Sequence, residues 1–425
     1  MYRRSILALA LATALWANAQ LHTHQVVVLN EGYFDMATQT QVQPVTLGSY
    51  DPATAEYSTV ATIPGVRFGN HVAVENGVVY VAADNKLLTY DADTYALLEE
   101  AEVQGIRRFA FGNGLIVITR GELGGLSHYC EVRDKATLDL LYTVDISQLP
   151  YSAEGVVVAG DKAYLAVNNG FDWANLVGYI GVLDLTTGSW EGLVDLGAEG
   201  LNPEHLMVKD GAVYSLNNTD FTHASISKLA QAGGALEYTT TVAASSGCGS
   251  SALVEDKVYF MEYAQGKLNR FDLATATVLD TLEASPATYG LLEDPHNGVL
   301  YGTTTDFFSS GELHVMDLQG NVLSTVAVGV SPGHLALDER SATGVHELAT
   351  ASLTAFPSPA QDVVNVVVAD GQVPMAAVVL DPAGRTVAAS LQRMAGGYRL
   401  QVDGLNAGVY TVRLGDGRTV RFIKG

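Results

Sequence analysis

Three histidines each open a short apolar strand: His71-Val72-Ala73-Val74, His205-Leu206-Met207-Val208 and His334-Leu335-Ala336-Leu337. Imidazole at a repeated position is the chemistry of a metal ligand or of a polar channel lining. A second group sets aromatic rings beside amides and acids. It comprises Asn30-Glu31-Gly32-Tyr33-Phe34, Asn168-Asn169-Gly170-Phe171-Asp172-Trp173, Asn217-Asn218-Thr219-Asp220-Phe221, Glu262-Tyr263 and Thr305-Asp306-Phe307-Phe308. Rings flanked in this way suit a large, partly planar ligand that bears amides or hydroxyls. Three further loops precede apolar strands and carry Phe68, Arg108 and Tyr289. The candidate ligand contacts are therefore Tyr33, Phe34, Phe68, His71, Arg108, Phe171, Trp173, His205, Asn218, Asp220, Phe221, Tyr263, Tyr289, Phe307 and His334. A plainer use stays open for each: aromatics pack between loops, and Asn and Asp close turns. Asp172, Asp220 and Asp306 are of the type that Ca²⁺ takes, but they lack dense ligand spacing. No catalytic constellation stands out, with neither a His-Glu-x-x-His helix nor a phosphate-cradling glycine loop. Carboxylate pairs assembled from distant loops stay open.

These residues need a scaffold that returns to one place many times. Between residues 20 and 349 one unit recurs: a β-branched or aromatic strand, a polar loop, a strand ending in an apolar-Asp pair with a Thr/Gly turn, then another strand. Val78-Val79-Tyr80-Val81 with Thr89-Tyr90-Asp91, and Lys257-Val258-Tyr259-Phe260 with Arg270-Phe271-Asp272, are the clearest copies. Seven anchors, Val28, Tyr80, Val117, Tyr164, Tyr214, Tyr259 and Tyr301, are separated by 52, 37, 47, 50, 45 and 42 residues. A period of ~40–50 with about four strands per unit predicts a seven-bladed β-propeller. The first unit lacks its opening strand, and the missing one follows the seventh unit as His334-Leu335-Ala336-Leu337. That segment is predicted to supply the innermost strand of the first blade and so close the ring. His71, His205 and His334 then belong to blades two, five and one. Blade five lies across the ring, which favours channel lining over joint ligation of one ion.

The 425 residues carry a net charge of −23. Residues 1–19 contribute +2 and residues 350–425 contribute +2, which leaves −27 for the middle. Such acidity excludes a nucleic-acid surface and docking on anionic lipid. Arg3-Arg4, an apolar run from Ile6 to Trp16, and Ala17-Asn18-Ala19 form a signal peptide with an A-x-A cleavage site, over residues 1–19. The run is too short to span a bilayer. Cys130 and Cys248 fall on distant units and are expected to be unpaired, packed thiols, although export permits a bridge.

Residues 350–425 read as a small Ig-like β-sandwich, with alternating strands and turn signals every ~10 residues. Phe356-Pro357-Ser358-Pro359-Ala360-Gln361-Asp362, the hairpin Asp381-Pro382-Ala383-Gly384-Arg385, Leu405-Asn406-Ala407-Gly408-Val409-Tyr410 and the basic end Val420–Lys424 follow in order. In that order they closely resemble the type A C-terminal sorting domain of the type IX secretion system of Bacteroidetes, with Ser358 where Asn is usual. The resemblance implies passage across the outer membrane through that machinery, then attachment at the cell surface or release. Val28-Leu29-Asn30-Glu31-Gly32-Tyr33-Phe34 and Asn217-Asn218-Thr219-Asp220-Phe221 within a seven-unit ring resemble the YncE-like surface propellers of Bacteroidetes. That family includes proteins that capture vitamin B12 above a TonB-dependent transporter. The resemblance implies a bound corrinoid, no required cofactor and an outer-membrane transporter as partner. No lipobox Cys follows residue 19, so the sorting tail takes over the anchor's job. Two other readings stand beside corrinoid capture: a propeller hydrolase or lyase with a channel metal, and a glycan or protein adhesion module.

Overall fold

The computed structural model describes residues 21–220, 222–230, 234–243, 251–341, 353–368, 377–382, 384–394, 396–414 and 418–425. The leader, Phe221, Cys248 and the expected boundary at residues 349–350 lie outside the described residues. The chain divides into two compact units, Met1–Ser341 and Ala342–Gly425. Both are all-β, and the helical content among the described residues is two single 3₁₀ turns, Trp173–Asn175 and Ala198–Gly200.

The first unit is a ring of seven four-stranded antiparallel sheets. Six blades are continuous in sequence, and the first combines Pro332–Ser341 with Leu21–Asn30, Val45–Asp51 and Glu56–Ile63. Leu29 faces His334 and Val27 faces Ala336 in that antiparallel pair, so the C-terminal strand closes the ring as the repeat arithmetic requires. The seam is also held by side chains. Gln25 Nε2 donates to Asp338 Oδ2 at 2.9 Å and to the Ala92 carbonyl at 2.8 Å, and Arg340 pairs with both Asp338 and Asp93.

Strand periodicity explains why the second strands read as unbroken apolar runs. A blade is packed on both faces, so successive residues serve opposite neighbours. Val27 and Leu29 pack toward blade two, while Val26 and Val28 pack toward blade seven. Val79 and Val81 face blade one, and Tyr80 and Ala82 face blade three. Each of the seven blade interfaces has its own hydrophobic cluster in this way. Cys130 is a free thiol buried in one of them, and burial pushes its pKa up.

The apolar-Asp signature closes the outer hairpins. Asp91, Asp134, Asp184 and Asp272 each accept from the backbone N–H two and three residues on, and from a Thr hydroxyl. The residue after that Thr is left-handed at Tyr95, Leu138, Gly188 and Ala276.

The second unit pairs two four-stranded sheets around the core of Val364, Val366, Leu400, Val412 and Phe422. Tyr410 donates its hydroxyl to the Asn406 carbonyl at 3.0 Å, a tyrosine corner within the Leu-x-x-Gly-x-Tyr segment. Asp381 caps the hairpin by accepting from the Arg385 backbone at 2.9 Å.

Candidate ligand site at the channel mouth

In the ring, loops that precede the innermost strands and loops that follow the second strands converge at one end of the channel. A cavity of about 500 Å³ opens there. Its polar lining comes from two adjacent repeat positions. Gly333-His334, Asn70-His71, Arg107-Arg108, Glu154-Gly155 and Glu204-His205 stand at the start of the innermost strands of blades one to five. In all five blades the pairing register slips at that point. Such bulges re-aim side chains, and here they release one or both residues of each pair from the ladder.

Arg107 donates Nε and Nη2 to Glu154 at 2.7 and 3.0 Å, and its guanidinium lies 5.4 Å from the centre of the Phe171 ring. Arg108 Nε is 3.7 Å from Glu154, and its Nη1 stands 3.4 Å from His71 Nδ1 and 3.3 Å from His334 Nδ1. Arginine cannot accept a hydrogen bond, so both Nδ1 atoms are acceptors and both rings carry the proton on Nε2. Burial, reinforced by Arg108, holds His71 and His334 well below the ordinary histidine pKa and brings His205 down to about 3. All three are neutral at physiological pH. His205 faces Ser251 Oγ through Nδ1 at 3.0 Å, and its Nε2 is shut off from solvent without a partner.

The carboxyl groups divide. Burial opposes ionisation of Glu154, but Arg107 and Arg108 outweigh it and hold the group below its ordinary value. Glu31 accepts from the Tyr289 hydroxyl at 2.9 Å, yet burial raises its pKa to about 7 against that bond and the two arginines. Burial and then the Glu154 charge raise Glu204 to about 7 as well. Gly333 makes room for Glu31, because a Cβ on it would run into Glu31 Oε1 and press on the Tyr289 ring.

Seven predicted residues line this cavity: Phe68, Arg108, Phe171, Trp173, His205, Tyr289 and His334. His71 adjoins it through Arg108 and through His334, whose ring centre is 6.2 Å away. Phe307 packs edge-on against Tyr289 at 5.0 Å, and Tyr33 packs against Phe308 at 5.1 Å. Phe34 sits with Tyr33 on the small extra hairpin Tyr33–Asp35/Thr40–Gln43. Asn218 is buried, with its backbone N–H on the Asn202 carbonyl, and does not line the cavity. Asp220 closes its own turn on Thr222 and His223, and the Thr222 hydroxyl first among these partners holds it at about 2. Asp306 caps Phe308 and Ser309, and Asp172 accepts from Asn175, so the three loop acids act in separate turns. Tyr263 is exposed and lines no part of the cavity. Among the described residues no three His, Cys, Asp or Glu side chains converge to hold a metal ion.

Glu31, Arg107, Glu154 and Glu204 also line the cavity and are absent from the contacts expected from sequence. Arg107, Glu154 and Glu204 share the repeat position just before that of the three histidines, and that alignment is the signal that points to them. Gly329-Val330-Ser331-Pro332-Gly333 also spells a Gly-x-Ser-x-Gly string. Its Ser331 is buried and left-handed, and it joins two strands where that motif needs a strand followed by a helix.

Comparison with known proteins agrees with this two-part architecture. Residues 354–424 match the secretion system C-terminal sorting domain family. The protein therefore carries a type IX sorting tail and is directed to the cell surface or released, and no helix among the described residues is long and apolar enough to cross a membrane. No curated protein matches the chain. Among solved structures, hydrazine synthase of Kuenenia stuttgartiensis aligns with TM-score 0.52 and 13% identity over 65% of this chain and 93% of its own. Apo AztD from Citrobacter koseri aligns with TM-score 0.51 and 13% identity, over 76% of this chain and 100% of its own. At such identity the likeness concerns the fold alone.

Proposed function

We propose that the ring is a non-catalytic capture module displayed at the cell surface or released, and that it binds a small molecule at the channel mouth. One observation carries this reading. Trp173 is 80% exposed and Phe307 is 48% exposed, beside a cavity of about 500 Å³. Exposed rings around a polar concavity forfeit burial in the free protein and regain it when a ligand covers them. A cavity of this volume also favours a small molecule over the flat contact of an adhesion module.

For the ligand we propose a corrinoid, on the strength of the sequence resemblance. Its macrocycle is too large for the cavity and would lie across the aromatic rim, with an amide-bearing arm reaching the asparagines and arginines below. Uptake would then require transfer to an outer-membrane transporter. Calorimetry of the full chain with cobalamin and cobinamide tests this, and the absence of heat with both rejects the corrinoid. One observation favours a second reading, a propeller hydrolase or lyase. Glu31 and Glu204 hold protons near neutral pH, the range in which a general acid or base works. Mass spectrometry of a bound ligand after incubation separates the two, since capture returns it unchanged and an enzyme does not.

A further inference from the structure

When Glu31, Glu154 and Glu204 are all ionised, the channel mouth holds one more negative charge than its two arginines balance. Arg107 is committed to Glu154 in a bidentate pair, and Arg108 is shared among Glu154, His71 and His334. Glu31 and Glu204 line the same cavity, and among the described residues neither has an arginine or lysine at ion-pair distance. Their hydrogen-bond partners are neutral: Tyr289 at 2.9 Å for Glu31, and Asn202 at 3.4 Å for Glu204. With the histidines uncharged and all three carboxyls ionised, the lining carries two positive charges and three negative ones.

We propose that the cavity takes an organic cation, an ammonium group that enters beside Glu31 and Glu204, a chemistry that the amide-bearing arm of a corrinoid lacks and that therefore competes with the corrinoid as the ligand. This rests on the reading of the mouth as the ligand site. The surroundings fit such a group in two independent ways. Trp173 and Tyr289 line the cavity, and aromatic quadrupoles attract a partly desolvated cation. His205 lines the same cavity, and among the described residues its buried Nε2 has no hydrogen-bond partner. In the tautomer that donates from Nδ1 to Ser251, that nitrogen holds a lone pair that an entering N–H donor would satisfy.

In the empty site a proton stands in for the cation, since Glu31 and Glu204 are half-protonated near pH 7. An ammonium group entering the cavity favours the ionised carboxylates and expels that proton. Affinity therefore rises with pH through 7. An anion on Arg108 would do the reverse and draw a proton in. The groups facing this equilibrium are Glu31, Glu204, Glu154, Arg107, Arg108, Tyr289 and the three histidines; Glu31 and Glu204 stand at about 7, while Glu154 and the histidines are held below their ordinary values.

The test uses the full chain and four probes of one shape: benzylamine, benzyltrimethylammonium, benzyl alcohol and benzoate. Calorimetry at pH 7 in two buffers of different ionisation enthalpy reads affinity and proton release together. Both cations are expected to bind at least tenfold more tightly than the alcohol or benzoate, with net proton release. Glu31→Gln and Glu204→Gln are each expected to weaken the cations about tenfold without lowering the melting temperature. Tightest binding by benzoate, with proton uptake, overturns the cation and leaves the mouth as the site. Failure of all four probes also overturns the cation, while the corrinoid titration judges the mouth separately.

Discussion

Replacing Glu204 by glutamine should stabilise the ring at alkaline pH and do little in acid. Glu204 titrates at about 7 in the fold against an ordinary value of 4.5. The folded state therefore binds more protons than the unfolded one between those values, and stability falls as pH rises from 4.5 through 7. A difference of about 2.5 units corresponds to roughly 3 kcal/mol above pH 8, and to about 1 kcal/mol at pH 5. Glutamine mimics the protonated carboxyl at constant size and removes that loss. A ring of roughly 320 residues unfolds with about 0.7 kcal/mol per kelvin of entropy, so Glu204→Gln should melt about 5 °C above wild type at pH 8.5. At pH 5 the gain should shrink to 1–2 °C. Differential scanning calorimetry at the two pH values makes the comparison, with the first transition to involve the ring followed. An equal shift at both pH values, or destabilisation at pH 8.5, would refute the buried-carboxyl reasoning.

Other perturbations test other parts of the molecule. Asp338→Ala leaves Arg340 with Asp93 alone and frees the buried Gln25 amide at the ring seam, which should cost about 1–3 kcal/mol and speed hydrogen exchange in both Leu21–Asn30 and Pro332–Ser341. Unchanged exchange in either strand contradicts the closure. Gly333→Ala should push Glu31 off its seat, so the pH dependence of ring melting between 5 and 8.5 flattens relative to wild type. A wild-type slope means the carboxyl did not move. Cys130 in a Cys248→Ser protein should resist a thiol reagent at pH 8 until denaturant is added, because burial raises its pKa and blocks access. Rapid native modification counts against the packed thiol.

The ring was legible because its units obey physics that repeats: period-two packing on both faces, Asp-Thr turns, and a first unit visibly short of one strand. That the segment from His334 pairs in the first blade follows from that count, while its register, His334 opposite Leu29, comes from the structure. The mouth was legible only in part. Aromatic loops stood out by composition, and Phe171 and Trp173 do line the cavity. Asn218 and Asp220 looked the same in sequence, yet Asn218 is buried away from the cavity and Asp220 closes its own turn, since a carboxylate satisfies a nearby N–H as readily as a ligand. Glu154 and Glu204 gave no compositional signal. Their aim depends on register slips at the start of the innermost strands, and bulges there follow from blade closure more than from any local motif.

Trp173 provides the most direct test of ligand capture at the channel mouth. The chain has three tryptophans, Trp16, Trp173 and Trp190, so a Trp16→Phe, Trp190→Phe protein reports from the rim alone. Titration with benzyltrimethylammonium, which absorbs little at the emission wavelength, should shift the Trp173 emission saturably to the blue as the exposed ring is covered. The midpoint should match the calorimetric affinity. A probe that binds by calorimetry while the emission stays unmoved would place the ligand elsewhere and contradict the channel-mouth site.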